Sequence, residues 1–314
     1  MGDGNGRRVV AGIDIGGTKT LAVALDASGT VIASERAATP TDGGDGIVAT
    51  AVDTLTALAG HLEIDAGTFD VVGVGIPGRV RPADGSVTHA VNLGLGGGVV
   101  AVGPQIEDAL GVPTFVENDV NAAALGAAAL LSPGTPADLA YISVGTGVAA
   151  GLILDGRLRR GYHGVGGEIG HLCVDPGGPR CACGRIGCLE AVASGAAIAR
   201  RWPGDGAPAA ADLFAAAAAG VAGAVAVRDS VCAHLAAAVV HLVLTVDVAR
   251  VVFGGGVAEA GEALVTGIRR ALEEQAKASP WLRSLELDRL VTVLAPGTPV
   301  GAIGAGLAAR DRRA

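Results

Sequence analysis

Two stretches of the chain share one pattern, in which an apolar run, a turn rich in Gly and Thr, and a second apolar run follow each other. The first copy predicts strands over Val9–Asp14 and Leu21–Asp26, and the second over Leu139–Val144 and Val148–Leu154. Short apolar runs bounded by turn residues are typical of buried strands. The repetition indicates two related halves.

Further strands and helices alternate along the rest of the chain. Apolar residues at helical spacing predict a buried helix over Val231–Val246, whose two histidines make a membrane span a poor interpretation. The alternation predicts the α/β class. The other predicted strands are Val31–Ser34, Val71–Ile76, Thr114–Glu117, Arg250–Phe253 and Leu290–Leu294, and the other predicted helices are 46–62, 104–110, 119–131 and 301–310.

Composition allows a large core and excludes some partners. Hydrophobic residues make up 50% of the 314 residues and aromatics only 3%, so the core must be built from Ala, Val, Leu and Ile. The net charge of −8 offers no general footprint for a nucleic acid or another polyanion. Because no apolar segment follows the polar first eight residues, no export signal is predicted, and we expect a cytoplasmic protein without membrane contact.

Three glycine-rich turns are candidate phosphate sites. In the first, the adjacent Gly16 and Gly17 permit close approach of backbone amides to an anion, while Thr18 and Lys19 add a hydroxyl and a charge. Alone, this segment would favour a plain hairpin turn with a solvated lysine. Its pairing with Gly145–Gly147 favours a nucleotide held between two hairpins. The third turn, Gly254–Gly256, serves no packing purpose that Ala could not serve, although a plain strand-to-helix turn remains an alternative.

Another glycine pattern, Gly73-x-Gly75-x-x-Gly78, matches the dinucleotide-binding fingerprint only formally. Pro77 interrupts it and no helix is predicted to follow, so we interpret the match as chance or as a loop for a different ligand.

A cluster of polar residues, Glu117–Asn121, lies where a predicted strand meets a predicted helix. Helix capping explains one Asn or Asp there, but not four polar groups. The carboxyl end of a strand is a usual place for an active site in α/β folds. Asp119 can accept a proton from a substrate hydroxyl, as kinase catalytic aspartates do.

The most specific chemical pattern is a group of one histidine and three cysteines: His171, Cys181, Cys183 and Cys188. An imidazole and three thiolates in a glycine-rich loop match a closed tetrahedral Zn²⁺ site, which is structural because no position is left for water. Cys173 and Cys232 fall outside the spacing and are expected to be small core residues.

Two glutamates, Glu168 and Glu190, bracket the metal pattern. Either one alone is compatible with a solvated surface charge. Their constrained, glycine-rich flanks favour instead a stiffened loop that presents carboxylates to the hydroxyls of a sugar.

Taken together, the motifs resemble those of the ROK family of sugar kinases, in its glucokinase branch. The resemblance covers nearly the whole chain and implies the two-lobed actin/Hsp70/sugar-kinase ATPase fold, with the active-site cleft between the lobes. It places the small lobe at 1–118, completed by a helix over 300–314, and the large lobe at 119–299. The matching segments are DIGGTKT (14–20), ENDVNAAALG (117–126), SVGTGVAAGLILDG (143–156), GGEIGH (166–171), CACGRIGCLE (181–190) and FGGGV (253–257).

The resemblance also implies roles for individual residues. Asp119 is expected to be the general base on the 6-hydroxyl of glucose, with Asp14 near a Mg²⁺ that accompanies ATP. His171 is expected to serve both the sugar and the structural Zn²⁺. The expected sugar contacts are Asn92, Asn118, Asp119, Glu168, His171 and Glu190. The expected ATP contacts are Gly16, Gly17, Thr18, Lys19, Gly145, Thr146, Gly147, Gly255 and Gly256.

One departure from the family pattern leaves the substrate open. Glucokinases commonly carry Trp after the segment Asn92–Gly94, whereas Leu95 stands here. Kinases of amino sugars, mannose-type sugars or C7 cyclitols keep the same motifs. The negative charge argues against polyphosphate as donor.

A non-catalytic sugar-sensing regulator is the alternative of another class. Family repressors carry an additional helix-turn-helix domain, for which we expect no room before the strand at Val9. An actin- or Hsp70-like ATPase would not call for the cysteine and carboxylate loop. Relatives form dimers or tetramers, so we expect a homodimer or homotetramer.

Overall fold

The structure is a computed structural model that describes residues 8–40, 43–90, 93–95, 98–135, 137–204 and 208–313. The strands are β1 (Val10–Ile15), β2 (Lys19–Leu25), β3 (Val31–Ala38), β4 (Val71–Ile76), β5 (Arg79–Arg81), β6 (Ser86–Thr88), β7 (Thr114–Asn118), β8 (Leu139–Val144), β9 (Val148–Leu154), β10 (Arg157–Leu158), β11 (Arg250–Gly254) and β12 (Val291–Val293). The helices are α1 (Gly44–Gly60), α2 (Val102–Leu110), α3 (Asp119–Leu131), α4 (Leu189–Ala193), α5 (Gly195–Arg201), α6 (Ala209–Ala218), α7 (Ala222–Val246), α8 (Glu262–Lys277), α9 (Pro280–Ser284), α10 (Leu287–Leu290) and α11 (Val300–Arg313).

The chain forms two compact units. Unit 1 comprises Met1–Gly134 and Pro299–Ala314, and unit 2 comprises Thr135–Thr298. The chain first passes from unit 1 to unit 2 after α3, between Gly134 and Thr135, whereas the expected boundary lay before α3. The reason is that α3 packs closely on α11 in unit 1: a side chain on Gly304 of α11 would collide with the backbone of Ala122.

Unit 1 is built on a five-stranded sheet in the order β3-β2-β1-β4-β7. The first three strands form an antiparallel meander, and β1, β4 and β7 run parallel. Side chains alternate across the sheet, so Ala11 and Ile13 face the core under α1 and α2, while Val10 packs with α11. The fingerprint-like Gly73 allows this approach of α11, because a Cβ there would fall on the Ala305 carbonyl group.

Unit 2 repeats the same topology. Its sheet has the order β10-β9-β8-β11-β12, again with an antiparallel meander followed by parallel strands. The prediction of two related halves is therefore confirmed, as is the α/β class. Strands β4, β8 and β9 and helix α3 have the predicted bounds.

Two features of the elements complete this picture. Helix α7 is the one helix among the described residues that is long and apolar enough to cross a membrane by length and composition. Its buried residues, such as Leu235 and Val239, belong to the core of unit 2, as the sequence predicted. The hairpin of β5 and β6 was not predicted, because each strand is three residues long and has a single apolar residue, a valine.

Candidate active site and metal centre

In unit 1, two carboxylates approach each other at the carboxyl end of the sheet. Asp14 lies in β1 and Asp119 begins α3. Gly75 of β4 lies between them, since a Cβ there would stand 3.6 Å from Asp14 Oδ1 and 3.7 Å from Asp119 Cα. Burial, and then the negative charge of Asp119, raises the pKa of Asp14 to about 7, against the opposing effect of Lys19. A magnesium ion at Asp14 would stabilise the charged form of this carboxylate and offset the repulsion between Asp14 and Asp119.

Backbone and side-chain hydrogen bonds hold the start of α3. Asn118 Oδ1 accepts from the amides of Val120 (3.0 Å) and Asn121 (3.2 Å), so Asn118 is the N-cap of α3. Its Nδ2 donates to the Gly78 carbonyl at 3.3 Å. The capping interpretation of this residue is thus confirmed, and the other Nδ2 proton remains as a donor for a ligand.

Glu117 lies beneath this helix start and is only 4% exposed. Its Oε1 accepts from the Asn118 amide (3.1 Å) and from Asn121 Nδ2 (3.2 Å). Its Oε2 pairs with Arg312 Nη2 of α11 at 3.3 Å. Glu117 is therefore a structural support for the segment that carries Asp119. No sequence signal pointed to Arg312, which is 195 residues away along the chain.

The first glycine turn is the β1–β2 hairpin. The Gly16 amide donates to the Lys19 carbonyl at 2.9 Å, and the Thr39 amide donates to the Thr18 carbonyl at 3.2 Å. The side chains of Thr18 and Lys19 are exposed and so are accessible to an anion.

In unit 2, the corresponding hairpin turn is held from several sides. The Gly145 amide donates to the Gly147 carbonyl at 3.0 Å, and the Gly195 amide, at the start of α5, donates to the Gly145 carbonyl at 2.7 Å. Glu190 Oε2 accepts from the Val148 amide at 3.1 Å. One carboxylate oxygen of Glu190 is therefore used to fix this turn, a contact that the sequence did not predict.

The third glycine turn packs against the second. Gly255 has a φ of +82°, and a Cβ there would lie 2.7 Å from the Val144 carbonyl oxygen at the end of β8. A Cβ on Gly254 would collide with the Tyr141 hydroxyl. Packing therefore explains two of the three glycines, and the expectation that it explains none was wrong. Gly256 has open space on its Cβ side, which keeps it a candidate for contact with a ligand.

The loop that carries Glu168 and His171 lies directly against β9. The Ala150 amide donates to the Gly167 carbonyl at 2.7 Å, and a side chain at Gly167 or Gly170 would collide with the backbone of β9. A short 3₁₀ turn over Ile169–His171 then places the Glu168 side chain in solvent and leaves His171 half-buried.

The four predicted metal ligands come together in unit 2. One ligand atom of each lies within 4.8 Å of all the others. Cys183 Sγ and Cys188 Sγ are 3.7 Å apart, and Cys181 Sγ is 3.8 Å from His171 Nδ1. A regular tetrahedron with Zn–S bonds of about 2.3 Å has edges of about 3.8 Å, so the cluster fits Zn²⁺.

Zn²⁺ binding at this cluster requires that the Cys188 thiol lose its proton. Burial, together with the neighbouring Cys183 and Cys181, raises the pKa of Cys188 to about 12 without a metal. A bound Zn²⁺ would hold the thiolate and release the proton. Of the two other cysteines, Cys232 is buried in the core as expected. Cys173 is exposed, contrary to expectation, and lies in the loop over 168–190 that carries the four clustered residues, here called the metal loop.

One expected sugar contact, Asn92, lies outside the described residues. The neighbouring Leu95, which stands where Trp is common, is 5% exposed and belongs to the core of unit 1.

Comparison with known proteins places these features in context. The family model described as the ROK family matches residues 10–311. A glucokinase of Halalkalibacterium halodurans is 32% identical over 95% of this chain and 94% of its own length. An N-acetylmannosamine kinase of Escherichia coli O1:K1 is 38% identical over 62% of this chain and 64% of its own.

A solved structure gives the same picture. The ROK family glucokinase of Streptomyces griseus, in complex with glucose and AMPPNP, superposes with a TM-score of 0.79. It is 29% identical and covers 96% of this chain and 99% of its own.

Proposed function

Because this chain belongs to the ROK family, we propose that it is an ATP-dependent sugar kinase that phosphorylates the 6-hydroxyl of glucose. The observation that carries the proposal is the placement of Asp119 at the start of α3, beside Asp14. A carboxylate held at a helix start by a capped and buttressed segment is suited to accept a proton from a substrate hydroxyl.

The chemistry divides between a base and a phosphate-binding set. Asp119 takes the proton of the 6-hydroxyl as that oxygen attacks the γ-phosphorus of ATP, and ADP leaves. Asp14 is assigned to the Mg²⁺, which neutralises charge on the phosphates when bound. The phosphates and the nucleotide are assigned to Gly16, Gly17, Thr18, Lys19, Gly145, Thr146, Gly147, Gly255 and Gly256.

Sugar recognition is assigned to carboxylate, amide and imidazole groups. Hydroxyls bonded by such groups are discriminated strongly, since a wrong epimer leaves a buried polar group unpaired. Nδ1 of His171 lies on the cysteine side, so its Nε2 is the atom assigned to the sugar. The assigned residues are Asn92, Asn118, Asp119, Glu168, His171 and Glu190.

The metal is assigned a structural role. Four protein ligands, His171, Cys181, Cys183 and Cys188, complete the Zn²⁺ shell and leave no position for a reacting water. Cytoplasmic location and a homodimer or homotetramer are further parts of the proposal, the latter open to a test by light scattering after size-exclusion chromatography.

A kinase of N-acetylmannosamine is the second candidate. It is favoured by the 38% identity to the enzyme of that name and by Leu95, which departs from the glucokinase pattern. A non-catalytic sugar sensor is the alternative of another class. The intact base and glycine turns argue against it.

A coupled assay of ADP release over a sugar panel tests these candidates. We expect kcat/KM to be highest for glucose among glucose, mannose, glucosamine, N-acetylmannosamine and a C7 cyclitol. A preference for N-acetylmannosamine would transfer the proposal to the second candidate. Glucose binding by calorimetry without ADP release from any sugar would favour the sensor.

A further inference from the structure

Cys173 lies opposite Cys188 across a short antiparallel pairing within the metal loop. This pairing is not part of either large sheet, and it joins the two ends of the loop. Its register is fixed by hydrogen bonds on both sides of the pair. These bonds, both 2.9 Å long, run from the Val174 amide to the Gly187 carbonyl and from the Leu189 amide to the Leu172 carbonyl.

That pattern makes Cys173 and Cys188 a non-hydrogen-bonded pair. In such pairs the two Cα atoms are about 4.5 Å apart and both side chains project from the same face of the ladder. Disulfides form between cysteines whose Cα atoms are roughly 4.4–6.8 Å apart. The backbone geometry therefore permits a disulfide without a rearrangement of the loop.

The two cysteines differ in environment. Cys188 is fully buried, and its Sγ is one of the four atoms of the metal cluster, 3.7 Å from Cys183 Sγ. Cys173 is exposed to solvent and is not a member of that cluster. A solvent oxidant can therefore reach Cys173, whereas its partner is the residue on which the metal depends.

We propose that Cys173 is an oxidation site through which hydrogen peroxide removes the metal from this loop. This inference rests on the zinc site proposed above. The Cys173 thiolate attacks the peroxide oxygen, which breaks the O–O bond, forms a sulfenic acid and releases hydroxide. The Cys188 thiolate then attacks the Cys173 sulfur and expels a second hydroxide, so two thiolates and one peroxide give one disulfide and two hydroxides.

The disulfide takes one ligand from the shell. His171, Cys181 and Cys183 remain. Loss of Cys188 should speed Zn²⁺ release by at least about tenfold, because loss of a group that only orients a zinc ligand already costs about 10–100-fold in metal affinity. Because Glu190 follows Cys188 by two residues and holds the Val148 amide, the change would also reach the turn at Gly145–Gly147.

The test compares the purified protein with Cys173→Ser and with Cys232→Ala, a control that changes a buried cysteine outside the loop. Metal analysis first establishes the zinc content. Each protein is then treated with hydrogen peroxide, zinc release is followed with a chromogenic chelator, and disulfides are mapped by mass spectrometry after alkylation without reduction.

We expect a Cys173–Cys188 disulfide in the wild type and in Cys232→Ala, with zinc release that is about tenfold slower in Cys173→Ser. Equal release rates in wild type and Cys173→Ser, or a disulfide that omits Cys173, would overturn the inference. If the purified protein holds no zinc, the metal assignment itself fails, and disulfide mapping still decides whether Cys173 and Cys188 pair.

Discussion

Replacement of Arg312 tests how the base segment is held. Arg312→Met keeps the apolar stem of the side chain but removes the guanidinium from Glu117, whose side chain is 5% exposed. Loss of one partner from a buried ion pair costs about 3–5 kcal/mol. The Arg312 side chain is 27% exposed, and Glu117 Oε1 keeps its hydrogen bonds to Asn118 and Asn121. We therefore expect Arg312→Met to lower the free energy of unfolding by about 2 kcal/mol.

The same helix supplies a matched control. Arg313 pairs with Asp70 at 3.8 Å, and their side chains are 48% and 33% exposed, so solvent screens this pair more than the Glu117 pair. Arg313→Met should therefore lower the free energy of unfolding by less than about 1 kcal/mol. Urea denaturation of both variants measures the difference directly.

A kinetic readout separates positioning from stability. Because Glu117 bonds to the first residues of α3, Arg312→Met should lower kcat by about tenfold through displacement of Asp119, with a smaller change in the KM for ATP. Glu117→Gln in the Arg312→Met background removes the unbalanced charge and should recover part of the stability. Equal stability and equal kcat in Arg312→Met and Arg313→Met would refute this reasoning.

Three further predictions concern the metal loop, the buried acid and the donor. Cys183→Ser or chelation should weaken glucose binding in calorimetry much more than ATP binding, because the loop at 168–190 loses its order. Cys173→Ser should match the wild type, and equal weakening of glucose and ATP binding would contradict the role given to the metal. In metal-free protein, the pKa of Asp14 near 7 means that the folded state holds a proton that the unfolded state loses at lower pH. The free energy of unfolding should therefore fall as pH rises from about 4 to 7, by at most about 4 kcal/mol, and stay level above that. Denaturation curves of Asp14→Asn should lack this fall, and the same pH dependence in the variant and the wild type would refute the assignment. Polyphosphate in place of ATP should give little product, and comparable rates with both donors would overturn that expectation.

Local patterns carried most of what could be predicted from the sequence. The strands at Val71–Ile76 and Leu139–Val144 were predictable because both are apolar runs with turn residues at their ends. The cluster of His171 with three cysteines was predictable because three of its four members lie within eight residues in one loop. The predictions succeeded where neighbours in sequence are also neighbours in space.

Contacts between distant segments could not be predicted. The Glu117–Arg312 pair joins residues 195 positions apart, and the Glu190–Val148 bond joins residues 42 positions apart. No local pattern around Gly73 indicates its structural role, which is to admit α11. Such roles depend on which helix packs on which strand, and no local pattern encodes that choice.

The role of Asp119 is tested most directly by identification of the product. The protein is incubated with ATP, Mg²⁺ and glucose, and glucose 6-phosphate is measured with a specific dehydrogenase. The wild type is compared with Asp119→Asn and with the control Asp108→Asn, which changes an exposed acid of α2. We predict glucose 6-phosphate from wild type and Asp108→Asn, turnover lower by roughly 10²–10⁴-fold in Asp119→Asn, and glucose affinity largely kept. Undiminished turnover in Asp119→Asn, or no glucose 6-phosphate from the wild type, would contradict the account.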